Sequence, residues 1–323
     1  MTKIICGVDV SSCDLHARIG REGAEHSFAN SHEGIAELAE FCRQQGVQLV
    51  AMEATGGYEK PAFLQLWARG FPVAILNPRA VRRFAEGMGL LEKTDRIDTG
   101  VIAWFAEVKG SRPCTPASAE QEHLKALVTR LRQLTELQTS QRNQRLLVQD
   151  ATVLASFTQI LALLAAQIRT LETTIAELIA ADPLWQQLDQ AFRAIKGVAD
   201  RTVSRLMAEM PELGTLSNKA AAKLAGLAPL ARDSGSVKGK RPIRGGRAGV
   251  RAILFVVASV VRRHEPDFAA FDQRLRAAGK PKKVILIALA HKLLVRLNAK
   301  ARQVRSGLAT VPERAPNLGV AVS

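Results

Sequence analysis

The chain has 323 residues, enough for two domains, and 47% of them are hydrophobic, an ordinary share for a protein that buries a core. No run reaches the roughly 18 consecutive apolar residues of a membrane-spanning helix, and the N-terminus lacks the pattern of a signal peptide. The four cysteines lie far apart without a CxxC pair. This argues against a zinc site or a disulfide framework and indicates a reducing cytoplasm.

The net charge of +15 comes from one end of the chain. Residues 183–323 hold 26 Lys and Arg against 9 Asp and Glu, whereas residues 1–112 hold 13 against 14 and residues 113–182 hold 6 against 7. A region this basic favours a polyanionic partner, usually nucleic acid, because each neutralised phosphate releases counterions. A surface that merely keeps the protein in solution is the alternative.

The first third of the chain predicts an α/β domain. Strands are predicted over 3–10, 14–20, 26–30, 47–54 and 71–77 from their apolar or alternating patterns. Helices are predicted from Asn30 or Ser31 to Gly46, over 59–69, over 79–86 and over about 95–108. Three strands, a helix and then strand–helix–strand–helix is the order of an RNase H-like domain. A flavodoxin-like sheet would instead place a helix directly after the first strand.

The middle of the chain predicts a helical hairpin. After a linker with two prolines at 113–117, apolar residues recur at intervals of three and four, the spacing of a coiled-coil seam. They are Leu124, Leu127, Leu131 and Leu134, then Phe157, Leu161, Leu164, Ile168, Leu171, Ile175 and Leu178. Asp150 is a candidate N-cap between the two runs, which indicates two antiparallel helices. The seam fits packing within one chain and packing between subunits equally well.

The remainder is predicted to be helical and basic. Asp182-Pro183 ends the long helix, and the tight turn at Lys196-Gly197 before an amphipathic helix is typical of a helix-hairpin-helix, whose backbone N–H groups approach a phosphate. We therefore divide the chain into an α/β domain (1–112), a helical linker (113–182), a basic helical domain (183–312) and a flexible tail (313–323).

Four carboxylates stand where a two-metal site needs them. Asp9 lies inside an apolar strand that should be fully buried, where a lone carboxylate costs several kcal/mol unless a cation or donors satisfy it. Glu53 ends a second buried strand, and Asp95 and Asp98 share one face at the start of a helix. In an RNase H-like sheet the four would converge, and two Mg²⁺ ions about 4 Å apart would offset their charge. Taken singly, each acid has an ordinary structural explanation.

The same residues carry a resemblance to a known family. The segments GVDVSS around Asp9, MEATGGY around Glu53, the strand end at Asn77-Pro78 and KTDRID around Asp95 and Asp98 are similar to those of the insertion-sequence-110 transposases and the related Piv-type invertases, the DEDD recombinases. A later segment, 226–255, resembles the second signature of that family, so the likeness spans about residues 4 to 300.

The resemblance implies a RuvC-like nuclease domain, a coiled-coil linker and a mainly α transposase domain. It implies that Asp9, Glu53, Asp95 and Asp98 bind Mg²⁺, with Mn²⁺ as a substitute, and that Ser234 is the nucleophile, brought to the tetrad of another subunit in a dimer or tetramer. It also implies a structured guide RNA, encoded by the element, that pairs with target and donor DNA. One departure is Gly100, where a better helix former is expected.

The residues alone support Ser234 less strongly. It lies in a Gly-rich basic loop whose cations could stabilise charge at a phosphate, but Ser236 competes with it and Tyr58, beside Glu53, is a rival nucleophile. Candidate nucleic-acid contacts are Lys196, Gly197, Lys238, Lys240, Arg241, Arg244, Arg247 and Arg251.

The sequence thus predicts a cytoplasmic, nucleoid-associated DNA transposase that acts on element ends and target DNA, guided by RNA, with no membrane partner. Two alternatives stay open at this point. One is a RuvC-like, structure-selective nuclease that uses metal-activated water, and the other is a nucleic-acid-binding protein without catalysis.

Overall fold

The computed structural model describes residues 3–90, 92, 95–231, 233–234, 237–238 and 241–309, and describes only the backbone of residues 95–97, 233–234, 237–238 and 309. The chain divides into two compact units, Met1–Ala117 (unit 1) and Ser118–Ser323 (unit 2). Unit 1 ends at Ala117, the last residue of the linker with two prolines that was predicted at 113–117. The boundary predicted at residue 182 lies within unit 2, so the split between linker and basic domain stays a prediction about function. The predicted flexible tail lies outside the described residues.

Unit 1 is a mixed α/β unit with the predicted order of elements. Its strands are β1 (Ile5–Val10), β2 (Asp14–Ile19), β3 (Glu25–Ala29), β4 (Leu49–Glu53) and β5 (Val73–Leu76). Its helices are α1 (His32–Gln44), α2 (Glu59–Ala68), α3 (Pro78–Gly87) and α4 (Asp95–Lys109). Ser31, rather than Asn30, caps α1, since its side chain accepts a hydrogen bond from the N–H of Gly34.

The five strands form one sheet in the order β3-β2-β1-β4-β5. The first three strands are antiparallel, and β1, β4 and β5 run parallel. Because β1 and β4 are parallel neighbours, their carboxyl ends meet at the same edge of the sheet, the edge at which α/β proteins commonly bind ligands.

Helices cover both faces of this sheet. Cys6 and Val8 of β1 share a buried cluster with residues of α1 and α2, whereas Ile5 of β1 shares one with residues of α3 and α4. A central strand covered on both sides must be apolar at nearly every position. This accounts for the unbroken apolar run from which β1 is predicted.

Helix α4 contacts β1 without a side chain between them at one point. A Cβ added to Gly7 would lie 2.1 Å from the backbone oxygen of Thr99 and 2.7 Å from the backbone nitrogen of Ala103. Glycine is the residue that permits so close a backbone approach. The contact sets the depth at which α4 lies on the sheet, one residue from Asp98.

Unit 2 begins with the predicted helical hairpin. Helix α5 (Ala119–Arg145) packs against α6 (Ala151–Ala181), and the carboxylate of Asp150 caps α6 by accepting hydrogen bonds from the N–H groups of Thr152 and Val153. The predicted N-cap and bend are therefore confirmed. The described helix α6 is long and apolar enough to cross a membrane, by length and composition alone. One such helix is weak evidence by itself, and four of its residues, Leu164, Ile168, Ile175 and Ile179, are buried in the core of unit 2.

In the rest of unit 2, the regular elements among the described residues are helices and one short hairpin. The helices are α7 (Pro183–Arg193), α8 (Asp200–Glu209), α9 (Asn218–Leu224), α10 (Ala248–His264), α11 (Pro266–Ala277) and α12 (Lys282–Ala309), and the hairpin strands are β6 (Asp233–Ser234) and β7 (Val237–Lys238). Helix α12 contacts α7, α9, α10 and α11. It therefore lies at the centre of the unit, with Leu289, Leu293 and Leu297 fully buried.

The contact at Gly7 predicts the outcome of a single substitution. Gly7→Ala should lower the free energy of unfolding of the chain by about 1–3 kcal/mol or more, since the methyl group would overlap backbone atoms that cannot rotate away. Gly87→Ala is the matched control, because a Cβ there meets nothing within 4 Å and alanine favours a helix. Urea unfolding followed by circular dichroism measures both. Equal stability of the two variants would contradict the packing argument.

Candidate active site

Asp9 and Glu53 lie side by side at the carboxyl edge of the sheet. The parallel pairing of β1 and β4 ends at Val8 and Met52, and Asp9 and Glu53 are the next residue on each strand. Both point to the face of the sheet that α4 covers, since side chains alternate along a strand. Asp9 is half-buried, so the expectation of full burial is wrong. Its strand neighbours are buried, but at the end of β1 this face opens into a cavity.

The carboxylate of Asp9 is held in place by the chain itself. The backbone N–H of Val10 donates a hydrogen bond of 3.0 Å to its Oδ1. Partial exposure lowers the desolvation cost that a fully buried carboxylate would carry. The side chain of Asp9 can therefore approach a cation or a substrate in the cavity.

The cavity of about 360 Å³ gathers three of the four predicted carboxylates. Asp9, Glu53 and Asp98 line it, together with Arg82 of α3 and the apolar residues Pro78, Val81, Ala85 and Val101. Arg82 also pairs with Glu86 at 3.2 Å, and it brings one positive charge to the rim of an otherwise acidic site. The fourth residue, Asp95, begins α4 three residues before Asp98, but its side chain lies outside the description.

The three described carboxylates share the cavity without forming a closed coordination shell. Among the described side chains, no three His, Cys, Asp or Glu groups lie close enough to hold one ion. The donors are hard oxygen ligands of the type that Mg²⁺ prefers. They fit a magnesium site in kind, and they line one cavity.

Ser234 lies in unit 2, on a projecting segment that we call the arm (residues 226–246). In the arm, β6 pairs with β7, with Asp233 opposite Lys238 and Ser234 opposite Val237. Two intervening residues, including Ser236, lie outside the description. Ser234 is therefore the last residue of β6, ten residues after the end of α9.

The predicted nucleic-acid contacts fall into two groups. Lys238 is in β7, Lys240 lies outside the described residues, and Arg241 and Arg244 are exposed on the arm. Arg247 and Arg251, in contrast, donate to acceptors within unit 2: Arg247 to Glu212, and Arg251 to the backbone oxygens of Gly245 and Gly226.

The predicted turn at Lys196-Gly197 is present between α7 and α8. Gly197 has a φ of 98°, and its Cα faces α10, where an added Cβ would lie 3.2 Å from Val260 and Val261. The N–H of Lys196 donates to the carboxylate of Glu265 at 3.0 Å. That N–H group, a candidate for a phosphate contact, thus already has an acceptor within the chain.

Two family models match the chain. A model of the DEDD transposases of IS110, described as transposase, matches residues 6–150, and a model described as transposase IS116/IS110/IS902 family matches residues 189–273. The first contains all four predicted carboxylates, and the second contains the arm. The chain belongs to the IS110 family of transposases. It is accordingly a DNA transposase or recombinase, and DNA is its substrate.

Two relatives are similar to this transposase over nearly their whole length, and a third over about half of its length. The pilin gene-inverting proteins of Moraxella lacunata and Moraxella bovis are each 28% identical to it, over 94% of this chain and 98% of theirs. An uncharacterised 43.6 kDa protein of insertion element IS110 from Streptomyces coelicolor is 29% identical over 64% of this chain and 53% of its own length.

Two polar residues at the carboxyl edge of the sheet make contacts that the sequence of the transposase did not predict. Asn30 donates through Nδ2 to the backbone oxygens of Ser11, at 2.9 Å, and Tyr58, at 3.2 Å. It thereby joins the loop after β1 to the loop after β4. Glu59 accepts hydrogen bonds of 2.8–3.1 Å from the N–H groups of Thr55 and Gly57 and from the Thr55 hydroxyl. A polar residue in a turn gives no sign in the sequence of which backbone groups it will meet.

Tyr58 lies outside the packed core. Its side chain is 56% exposed at the residue before α2. The ring of Tyr58 is therefore accessible at the edge of the sheet where the strands carrying Asp9 and Glu53 end.

Gly100 is the one departure from the family pattern, and it has a steric reason. A Cβ at Gly100 would lie 2.6 Å from the backbone oxygen of Arg21, in the turn after β2. Helix α4 thus passes close to two backbone segments, at Gly7 and at Arg21. Glycine at this position costs the helix about 1 kcal/mol relative to a better helix former. The absence of a side chain permits the close packing that positions Asp98.

The carboxylate of Glu59 predicts a pH-dependent effect on stability. Partial burial would raise its pKa, but hydrogen bonds from the backbone N–H groups of Glu59, Gly57 and Thr55 lower it below 4.5 overall. A lowered pKa stabilises the fold above pH 4.5, and this stabilisation is lost as the pH falls through the folded-state value. Glu59→Gln should therefore cost about 1 kcal/mol at pH 7, and the cost should shrink towards pH 3.

Urea unfolding of both proteins at pH 7 and near pH 3 measures this difference. Glu37→Gln is the control, since Glu37 is exposed on α1 and its substitution should change stability little at either pH. A cost of Glu59→Gln that is the same at both pH values would contradict the role of the ionised carboxylate.

Proposed function

We propose that this transposase cuts and rejoins the DNA of a mobile element by metal-assisted serine transesterification. The observation that carries the proposal is the cavity lined by Asp9, Glu53 and Asp98, at the edge where β1 and β4 end. Three carboxylates at one opening, with Arg82 as the cationic side chain of the same lining, are oxygen donors of the type that Mg²⁺ prefers.

An RNase H-like, RuvC-like architecture is the fold we propose for unit 1. The strand order β3-β2-β1-β4-β5, with three antiparallel strands followed by two parallel ones, supports it. Helix α4 also supports it, since α4 comes after β5 in the chain and packs against β1. In such a domain the acids of β1, β4 and the last helix act together.

Asp9, Glu53 and Asp98, with Asp95 as the fourth ligand, are the residues that would hold the metal. Two Mg²⁺ ions, or Mn²⁺ in their place, would supply Lewis acidity at the phosphate when bound there. The carboxylates orient the site, and Val81, Ala85 and Val101 restrict water on one side of it.

Ser234 is the nucleophile in this proposal. Its Oγ attacks the phosphorus of a DNA phosphodiester and gives up its proton, a Ser–O–P bond forms, and the displaced sugar oxygen leaves with a proton. Reversal by another sugar hydroxyl rejoins the DNA without an external energy source. The basic side chains of the arm support this role, since cations stabilise the charge that develops on the phosphate. The nucleophile would meet the carboxylates of another subunit.

A guide RNA is the proposed source of sequence specificity. Its support is the family membership and the strongly basic residues 183–323, which suit a second polyanion besides DNA. A DNA site chosen identically with and without the transcript of the element would contradict it. Such a protein would work at the nucleoid, in the cytoplasm.

A homo-oligomer is proposed from the distal half of the hairpin. Leu146 and Leu147, in the connection, are 82% and 89% exposed, and Leu163 and Ile160 of α6 are also exposed. The facing half of α5 is polar from Gln138 to Arg145, so it offers these residues no apolar partner. A second copy of the hairpin would cover them. A single-chain mass in sedimentation at micromolar concentration would contradict the oligomer.

The metal site predicts a stability readout that does not depend on DNA. Mn²⁺ at ten times its dissociation constant should stabilise the wild-type protein by about 1.4 kcal/mol and raise its Tm, because ligand binding shifts the folding equilibrium. Asp9→Asn should lose most of that shift. Glu22→Gln, an exposed acid of unit 1, should respond as the wild type does. An equal shift in Asp9→Asn would remove the carboxylates from the proposal.

The nucleophile predicts a covalent adduct that one substitution abolishes. Ser234→Ala should form no protein–DNA adduct on a labelled duplex spanning an end of the element, while its DNA affinity is kept. Ser236→Ala and Tyr58→Phe should form the adduct, as seen by denaturing gel and peptide mapping. An adduct that persists in Ser234→Ala would exclude this serine. Metal-dependent cleavage without any adduct would favour the structure-selective nuclease.

A further inference from the structure

The two ends of the arm meet at its base, where Gly226 lies against Gly245 and Gly246. A Cβ at Gly226 would lie 2.1 Å from the backbone oxygen of Gly245, and a Cβ at Gly246 would lie 2.2 Å from the backbone nitrogen of Gly226. The N–H of Arg247 donates to the backbone oxygen of Leu224 at 2.8 Å. The two legs of the arm are therefore in backbone contact at its base.

Arg251 binds both legs of the arm at this base. Its Nη1 donates to the backbone oxygen of Gly245 at 2.6 Å and to that of Gly226 at 3.4 Å. Arg251 belongs to α10, so a side chain on a long helix holds the entry and the exit of the arm together.

Arg247 ties the same base to a second part of unit 2. Its Nη1 and Nη2 each donate to a carboxylate oxygen of Glu212 at 2.6 Å, and Nη1 also donates to the backbone oxygen of Glu209 at 2.8 Å. Such a bidentate pair fixes direction as well as distance. Burial raises the pKa of Glu212, but the hydrogen bonds and charge of Arg247 lower it overall, so the pair is ionised at neutral pH.

The segment that carries Glu212 is itself anchored to the central helix α12. The side-chain oxygen of the fully buried Asn298 accepts from the N–H of Gly214 at 2.8 Å. Arg305 donates to the backbone oxygens of Leu213, at 2.8 Å, and Pro211, at 2.9 Å. The base of the arm is thus connected through Arg247 and Glu212 to the core of unit 2.

Beyond the base, the two legs stay paired. The N–H of Leu230 donates to the backbone oxygen of Pro242 at 3.0 Å, Pro229 forms an isolated bridge with Ile243, and β6 and β7 follow. Because the two legs are paired, a small rotation at the base of the arm would produce a larger displacement at Ser234. Eight residues separate Gly226 from Ser234, at most about 26 Å at a strand rise of about 3.3 Å per residue. A rotation of about 5° at the base would move the serine by about 2 Å, and an error of 1 Å at a reacting atom can cost about a hundredfold in rate.

We infer that Arg251 and the Arg247–Glu212 pair form a clamp that aims the arm, so that both arginines are positioning residues for Ser234 and not contacts to DNA phosphates. This inference rests on the proposed role of Ser234. It explains why Arg247 and Arg251, which follow a basic loop in the sequence, donate to acceptors within the chain.

The test compares three conservative variants in single-turnover adduct formation by the full-length protein. Arg247→Lys and Arg251→Lys keep the charge but lose the forked donor, and Glu212→Gln keeps the shape but loses the charge. The probe is a labelled duplex spanning the end of the element, with the element's transcript and Mg²⁺. We expect each variant to slow adduct formation by about 10- to 100-fold, with less than about a twofold change in DNA affinity.

The salt dependence of DNA binding separates a clamp from a phosphate contact. Loss of a phosphate contact lowers the slope of log affinity against log salt by about 1, whereas the clamp variants should keep the wild-type slope. The double substitution Arg247→Glu with Glu212→Arg exchanges the charges of the pair and should recover part of the lost rate of adduct formation. If Arg247 instead contacted a DNA phosphate, the exchange would not restore the rate.

Arg262→Lys is the matched control. Arg262 lies on the same helix and pairs with Asp272, both side chains being largely buried, but neither residue touches the arm. It should lower the Tm as much as Arg247→Lys does and leave the adduct rate unchanged.

Four results would overturn the inference. They are an unchanged adduct rate in the clamp variants, a reduced salt slope, no recovery in the charge swap, and an equal loss in Arg262→Lys. A wild-type protein that forms no Ser234-dependent adduct would overturn the proposed function and this inference together. A Ser234-dependent adduct that ignores the clamp would overturn the inference alone.

Discussion

The backbone contact between β1 and α4 is the constraint on which the candidate site depends. Asp9 and Glu53 are adjacent because their strands are hydrogen-bonded neighbours, and that follows from the sheet alone. Asp98 comes from a helix, and a helix on a sheet normally stands off by the length of the side chains between them. At Gly7 no side chain intervenes, so the helix lies close enough for its acid to reach the cavity of the strand acids.

Much of unit 1 could be predicted because its elements are defined locally. Buried strands appear as apolar runs, and a helix start appears as a cap such as Ser31. The burial of Asp9 was overestimated for a physical reason. A run of apolar neighbours shows that a strand is covered on both faces, but it does not show where the covering helix ends, and the cavity begins at that point.

The seam of the hairpin and the role of the arginines show where pattern reading stops. In α5, Val128 is fully buried, while the predicted seam residue Leu127 is only partly buried, because α5 packs against α8 as well as α6. Arg247 and Arg251 follow a basic loop in the sequence, yet their acceptors are a carboxylate 35 residues away and three backbone oxygens, those of Glu209, Gly226 and Gly245. Long-range acceptors leave no periodic trace along the chain.

The contact between Gly226 and Gly246 has a consequence for how this chain can change. A segment whose two ends touch can lengthen, shorten or be replaced without moving the helices that flank it, because closure of the loop costs nearly the same free energy at any moderate length. The reach and shape of the arm are thereby separable from the stability of unit 2. Variation in the segment between these glycines could retune which DNA geometry is attacked while the helical core stays the same.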